Sequence, residues 1–158
     1  MSDLTYHEQE VPSPDEVRAL YRAVDWRMKP LAPDEVLRAV WERAEYCVTV
    51  RNEAGTLVGM ARAISDGGFF IGIYDVVVDP KYQGQGVGTE MMRLVMQFVE
   101  TGPWYRTFLF SAPGKEGFYA KLGFLTPEEV GMTPMFRWKP EFAALHASLH
   151  AADDKECC

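Results

Sequence analysis

Apolar residues recur three and four positions apart at Val17, Leu20, Tyr21 and Val24, directly behind Ser13-Pro14-Asp15-Glu16. A capping hydroxyl, a proline at the first helical position and a glutamate three residues past the cap predict a helix over about residues 14–25. Pro33-Asp34-Glu35 opens a second helix, with Val36, Leu37, Val40, Trp41 and Ala44 on one face. The period then changes. Residues 46–51 and 57–64 are rich in β-branched and aromatic types around the turn chemistry of Asn52-Glu53-Ala54-Gly55, which predicts a β-hairpin. Residues 69–78 are apolar at nearly every position and stop at Asp79-Pro80, so this strand is apolar on both faces and belongs in the middle of its sheet. Val87, Met91, Leu94, Val95 and Phe98 then mark an amphipathic helix that ends near Thr101-Gly102-Pro103. Residues 105–111 read as a strand, 116–122 as a short helix stopped by Gly123, 132–138 as a last strand with Pro134 near its edge, and 140–150 as a C-terminal helix. This order of elements, without repeats or a long linker, predicts one α+β (mixed α/β) domain.

A length of 158 residues agrees with one domain, and 47% hydrophobic with 25% charged residues is the composition of a chain that builds a core. A net charge of −7 repels nucleic acid and anionic lipid and draws a cationic small molecule such as an amine. Met1-Ser2-Asp3-Leu4-Thr5 carries neither a basic nor an apolar leader pattern, and no stretch approaches the ~20 apolar residues of a membrane span, so the expected location is cytoplasmic. Cys47, Cys157 and Cys158 have no metal-ligand spacing, and the acidic residues beside the terminal pair argue for a tail over a lipid anchor.

The informative chemistry lies where the central strand runs through Gln83-Gly84-Gln85-Gly86-Val87-Gly88-Thr89 into the helix. Alternate glycines allow close backbone approach, and the first amides of a helix have no partner within it. Together with the helix dipole they form a site for a phosphate or pyrophosphate. Gly88 is followed by Thr89-Glu90 where a P-loop needs lysine and a hydroxyl residue, which excludes the ATP-binding reading. The glycine spacing also departs from a dinucleotide fingerprint. A glycine-rich turn without a ligand remains the alternative.

Gln83-Gly84-Gln85-Gly86-Val87-Gly88 resembles the pyrophosphate loop of the GNAT superfamily of acetyl-CoA-dependent N-acetyltransferases, and Phe118-Tyr119-Ala120-Lys121-Leu122-Gly123-Phe124 resembles its second signature. The resemblance covers about residues 5–138. It implies a GNAT-type fold over residues 1–139, followed by a helix and tail over 140–158. The sheet would be mixed and mostly antiparallel, flanked by helices, with an acetyl-CoA cleft between splayed central strands. It further implies that a primary amine attacks the thioester directly. Val76 and Val78 would pair with the pantetheine arm, a main-chain amide near Val77 would polarise the acetyl carbonyl, and Gln83, Gly84, Gln85, Gly86, Val87, Gly88 and Thr89 would hold the pyrophosphate. Tyr119 would protonate the departing thiolate. A homodimer through the C-terminal strands is expected by the same resemblance.

Asp75 is a carboxylate inside a buried apolar run and needs a partner. A substrate ammonium would serve, with Asp75 binding it or guiding its proton; an ion pair with Arg62 is the structural alternative. Tyr74 alternates to the other face unless the strand is bulged. Tyr21 and Trp41 are candidates for an aromatic wall around the acceptor. His146 and His150 lack the support of a metal site, and none is expected. Ala112-Pro113-Gly114-Lys115-Glu116-Gly117 replaces the residues expected for a phosphosugar acceptor. The reading that results is an N-acetyltransferase for a small primary amine. Protein lysine or N-terminal acetylation is one alternative, and a non-catalytic CoA-binding module is the other.

Overall fold

The computed structural model describes residues 3–151. Two compact units divide the chain, Met1–Leu109 and Phe110–Cys158. In the first, β1 (Thr5–Glu8) precedes α1 (Pro14–Ala23) and α2 (Asp34–Glu42), with a short 3-10 turn, Lys29–Leu31, between the helices. The strands β2 (Tyr46–Arg51), β3 (Leu57–Ser65) and β4 (Phe70–Val78) follow, then α3 (Val87–Thr101) and β5 (Arg106–Leu109). The sheet runs β1-β2-β3-β4-β5, antiparallel from β1 to β4 and parallel between β4 and β5. The parallel step requires a crossover, which α3 supplies.

The local signals act as expected. Ser13 and Glu16 close a capping box, with the Ser13 amide donating to Glu16 Oε2 at 2.9 Å. Val17, Leu20 and Tyr21 of α1 and Leu37 and Trp41 of α2 pack with Cys47, Met60 and Val77 of the sheet in one buried cluster. Neighbouring strand residues face opposite ways, and while Met60 joins that cluster, a Cβ added at Gly59 would come within 3.0 Å of the Met91 sulfur on α3. Helices therefore cover both faces, which is why β4 is apolar on both.

Two irregularities shape the functional end of β4. Met60 pairs with Val77 but Arg62 pairs with Tyr74, so β4 sets two residues, Asp75 and Val76, against the single Ala61. This is a β-bulge, and Asp75 takes φ +54° within it. The pairing of β4 with β5 ends at Ile73 and Leu109, so Tyr74–Val78 runs on after its parallel partner has stopped.

In the second unit, α4 (Glu116–Ala120) and α6 (Pro140–His150) match expectation, and α5 (Pro127–Val130) is an additional single turn with its own capping box at Thr126 and Glu129. Residues 132–138 correct the expected last strand: no strand ladder forms along them. Pro134 has no amide hydrogen to donate, and Met135 is 91% exposed. The Cys157-Cys158 pair lies outside the described residues.

Candidate active site

The glycine loop is built from both ends. At the close of β4, Asp79 caps the 3-10 turn Pro80–Tyr82, its Oδ1 accepting from the Lys81 amide at 2.9 Å. Two glutamines then pin the loop from within: Gln83 Nε2 donates to the Val78 carbonyl at 2.9 Å and Gln85 Nε2 to the Lys81 carbonyl at 2.8 Å. Gly84 and Gly86 adopt φ +73° and +85°, a region open at little cost only to glycine. Gly86 is the N-cap of α3 and offers no side chain to the first turn. The first helical bond runs from the Glu90 amide to the Gly86 carbonyl at 3.0 Å, which leaves the amides of Val87, Gly88 and Thr89 without intrahelical acceptors. A Cβ at either Gly84 or Gly86 would meet nothing within 4 Å, so the loop faces open space. Exposed main-chain donors at the positive end of a fifteen-residue helix suit a pyrophosphate.

Upstream, Val76 and Val78 are half-buried and Val77 is 3% exposed in the core. With β5 ended, this stretch of β4 presents main chain that an extended amide-bearing ligand matches by strand-like pairing.

The bulge brings Tyr74 and Asp75 onto one guanidinium. Arg62 Nε donates to Asp75 Oδ2 at 2.5 Å, and the same guanidinium carbon lies 5.4 Å from the Tyr74 ring centroid. Gly72 makes room for that ring, since a Cβ there would stand 2.7 Å from Tyr74 Cε2. Asp75 is only 5% exposed, and its second oxygen accepts from Lys29. Burial alone raises a carboxyl pKa, but the charges of Lys29 and Arg62 outweigh it and hold Asp75 below the usual carboxylate range. Tyr21 faces the same carboxylate, and burial together with the Asp75 charge pushes its phenol well up.

Tyr21 and Trp41, anticipated as an aromatic wall around the acceptor, do not stand open to solvent. They are 2% and 1% exposed, and the amphipathic faces that carry them are directed into the core. Trp26 and Lys29, in the segment joining α1 to α2, stand near Asp75 instead. Lys29 Nζ lies 4.2 Å from the Trp26 ring centroid and 5.4 Å from that of Tyr21. Sequence reasoning passed over both residues. The available signal was an isolated tryptophan and lysine in an interhelical segment otherwise without pattern.

Tyr119 belongs to the second unit. It is half-buried against Phe118 and Phe124, with ring centroids 5.0 and 6.1 Å away. Its carbonyl accepts from the Leu122 amide at 2.9 Å and the Phe124 amide at 3.2 Å, and Gly123 turns the chain at φ +87°. Burial pushes the Tyr119 phenol up, so it is neutral at pH 7. Among the described residues no three His, Cys, Asp or Glu side chains gather as a metal site, and no helix is long and apolar enough to cross a membrane.

The sequence profile of the Acetyltransferase (GNAT) family matches residues 13–124, from the capped first helix through the glycine loop to the Tyr119 turn. The chain is 33% identical to "Uncharacterized N-acetyltransferase ycf52" of Porphyra purpurea over 128 residues, covering 79% of this chain and 71% of that protein. It is 40% identical to "Histone acetyltransferase TAP1" of Glycine max over 89 residues, 56% of this chain and 38% of that protein. It is 31% identical to "Serotonin N-acetyltransferase 2, chloroplastic" of Oryza sativa subsp. japonica over 112 residues, 68% of this chain and 56% of that protein. The solved structure of a probable acetyltransferase from meticillin-resistant Staphylococcus aureus shares the fold, with a TM-score of 0.72 over 87% of this chain and 100% of that one, at 24% identity.

Proposed function

This chain belongs to the Acetyltransferase (GNAT) family, and from that premise we propose that it acetylates the primary amine of a small molecule. Acetyl-CoA is the acetyl donor of the family, and its thioester supplies the activated acyl group. The observation that carries the reading is the end of β4, where five residues beyond the last β5 partner lead from a buried carboxylate, Asp75, through Val76–Val78 towards the uncapped amides of α3.

Each residue then has a role set by its surroundings. Gln83–Thr89 hold the pyrophosphate through main-chain donors, with Gly84 and Gly86 supplying the φ values the loop needs. Val76 and Val78 pair with the amide-bearing arm. A main-chain amide near Val77 polarises the acetyl carbonyl and stabilises the oxyanion formed when the neutral amine attacks; one well-placed donor of this kind contributes ~3–4 kcal/mol. Asp75, anionic and buried, binds the acceptor as its ammonium and guides one proton from it through water to solvent, which frees the neutral amine that attacks, and Tyr74 borders it. Tyr119 delivers its proton to the thiolate as the carbon–sulfur bond breaks, and the proton that the acetylated nitrogen sheds restores the phenol.

Acetylation of lysine in a protein substrate is the second reading, supported by the name of the soybean relative. A panel of arylalkylamines, polyamines, aminosugars and lysine peptides, assayed for thiol release from acetyl-CoA, separates the two. The proposal expects the highest kcat/KM with a small amine. Turnover with lysine peptides alone would replace it with the second reading.

A further inference from the structure

We infer that Lys29 is a tethered stand-in for the acceptor: its side chain occupies an alkylammonium subsite on Asp75, and the acceptor binds by displacing it. The inference rests on the acetyltransferase reading of this site and names the chemistry the site takes, a primary ammonium at the end of an unbranched methylene chain.

The charges around Asp75 are unequal in number and in restraint. One carboxylate faces two cations. Arg62 is fixed: it is 8% exposed, donates from Nε to Asp75 and from Nη1 to the Val40 carbonyl at 3.2 Å, and its guanidinium lies 5.9 Å from the Trp41 ring centroid. That pairing alone neutralises the carboxylate. Lys29 is the surplus charge, and its side chain is 47% exposed while that of Asp75 is 1% exposed. It reaches inward from a three-residue turn on a flexible stem, and a lysine ammonium is readily taken up by water. When it leaves, Asp75 keeps Arg62 and the Tyr21 hydroxyl as partners, and its Oδ1 faces the vacated path. A second ammonium restores there the charge-assisted hydrogen bond that Lys29 made.

The walls of the subsite specify the part of the ligand next to the ammonium. Trp26 and Tyr21 stack with centroids 5.3 Å apart, and both rings lie within cation–π reach of Nζ. These faces pack against methylenes, and hydroxyls flanking an amine would lose their water against them. An aminosugar, whose amine stands on a ring carbon flanked by hydroxyls, fits them poorly. The end of α1 fixes Trp26 in this place: Asp25, at φ +59°, closes a Schellman cap in which its own amide returns to the Arg22 carbonyl at 3.1 Å and the Trp26 amide to the Tyr21 carbonyl at 2.9 Å.

The test uses n-butylammonium, the free counterpart of the lysine side chain, with the full-length protein and two variants, Lys29→Ala and Lys29→Met. With saturating acetyl-CoA, both variants should lower KM for n-butylamine at least tenfold, while KM for acetyl-CoA stays within twofold. In a separate thermal-shift measurement without acetyl-CoA, n-butylammonium chloride should raise Tm of Lys29→Ala saturably at concentrations that leave wild type unmoved. Sodium chloride and glucosamine should not, and Lys29→Ala combined with Asp75→Asn should abolish the response. Unchanged or higher KM in both variants, or no specific thermal response, overturns the inference while leaving acetyl transfer intact. A specific thermal response without turnover of any amine supports the subsite and removes the acetyltransferase reading. If Lys29→Ala and Lys29→Met both fail to fold while Lys29→Arg folds, Lys29 is a structural counter-ion and the inference falls.

Discussion

Replacing Gly86 with alanine separates the conformational need for glycine in the loop from its use as an anion site, provided that Gly55→Ala is made alongside. Gly86 sits at φ +85° and Gly55 at φ +77°, and an added Cβ meets nothing within 4 Å at either position. The two substitutions therefore impose the same kind of left-handed strain and no collision. That strain is worth ~1–2 kcal/mol, which corresponds to a Tm loss of roughly 2–8 °C for a chain of this size. Gly55 lies in the β2–β3 turn, where its amide donates to the Asn52 carbonyl at 2.8 Å. Gly86 begins α3, where a methyl group enters the space the pyrophosphate approaches and tilts the first amides away from it. Losing one hydrogen bond to a charged group costs ~1.5–3 kcal/mol, or about 10- to 150-fold in affinity. Titration calorimetry with CoA and differential scanning calorimetry on both variants measure the two quantities directly. The expected result is a similar Tm loss in both, with CoA affinity reduced only in Gly86→Ala. Equal CoA affinities in the two variants would refute the assignment of the loop.

Tyr119→Phe should lower kcat by ~10²-fold, the lower end for a general acid, with little change in KM for acetyl-CoA; an unchanged kcat in steady-state assays removes Tyr119 as the proton donor. Asp75→Asn should raise KM for the amine while CoA affinity, read by calorimetry, stays close to wild type, and equal loss on both sides would make Asp75 a folding residue. The Arg51 hydrogen bond and those of Ser13, acting against burial, depress the Glu16 pKa from 4.5 to about 2. A depressed folded-state pKa stabilises above the unfolded value and loses that stability as pH falls through the folded one. Glu16→Gln should therefore lower Tm at pH 7 and flatten the decline of Tm between pH 4.5 and about 2; a decline as steep as that of wild type contradicts the pairing.

The parts of this structure that were legible in the sequence are those whose chemistry is local. Ser13 and Glu16 stand three residues apart, and the Gln83–Thr89 turn carries its requirement for positive φ in its own glycines. The two-sided burial of residues 70–78 showed in apolarity broken only at Asp75. What escaped depends on counting across strands or joining distant segments. The bulge at Asp75 exists only in the mismatch between Met60–Val77 and Arg62–Tyr74, and no pattern within β4 announces it. Lys29 is 46 residues from Asp75 in sequence, and its isolation in an interhelical segment gave it no spacing to be read. Tyr21 and Trp41 were legible as aromatic residues on the apolar faces of two amphipathic helices, positions that indicate core first, and only the fold shows that Tyr21 also borders the Lys29 ammonium. Residues 132–138 had the composition of a strand, yet a strand also needs a partner ladder, which composition does not supply.

A crystal structure of the protein grown with CoA tests the central claim most directly. The account predicts diphosphate oxygens within hydrogen-bonding distance of amides in residues 83–89, and the pantetheine arm along Val76 and Val78. Density for CoA at any other place on the molecule, with the loop unengaged, would contradict it.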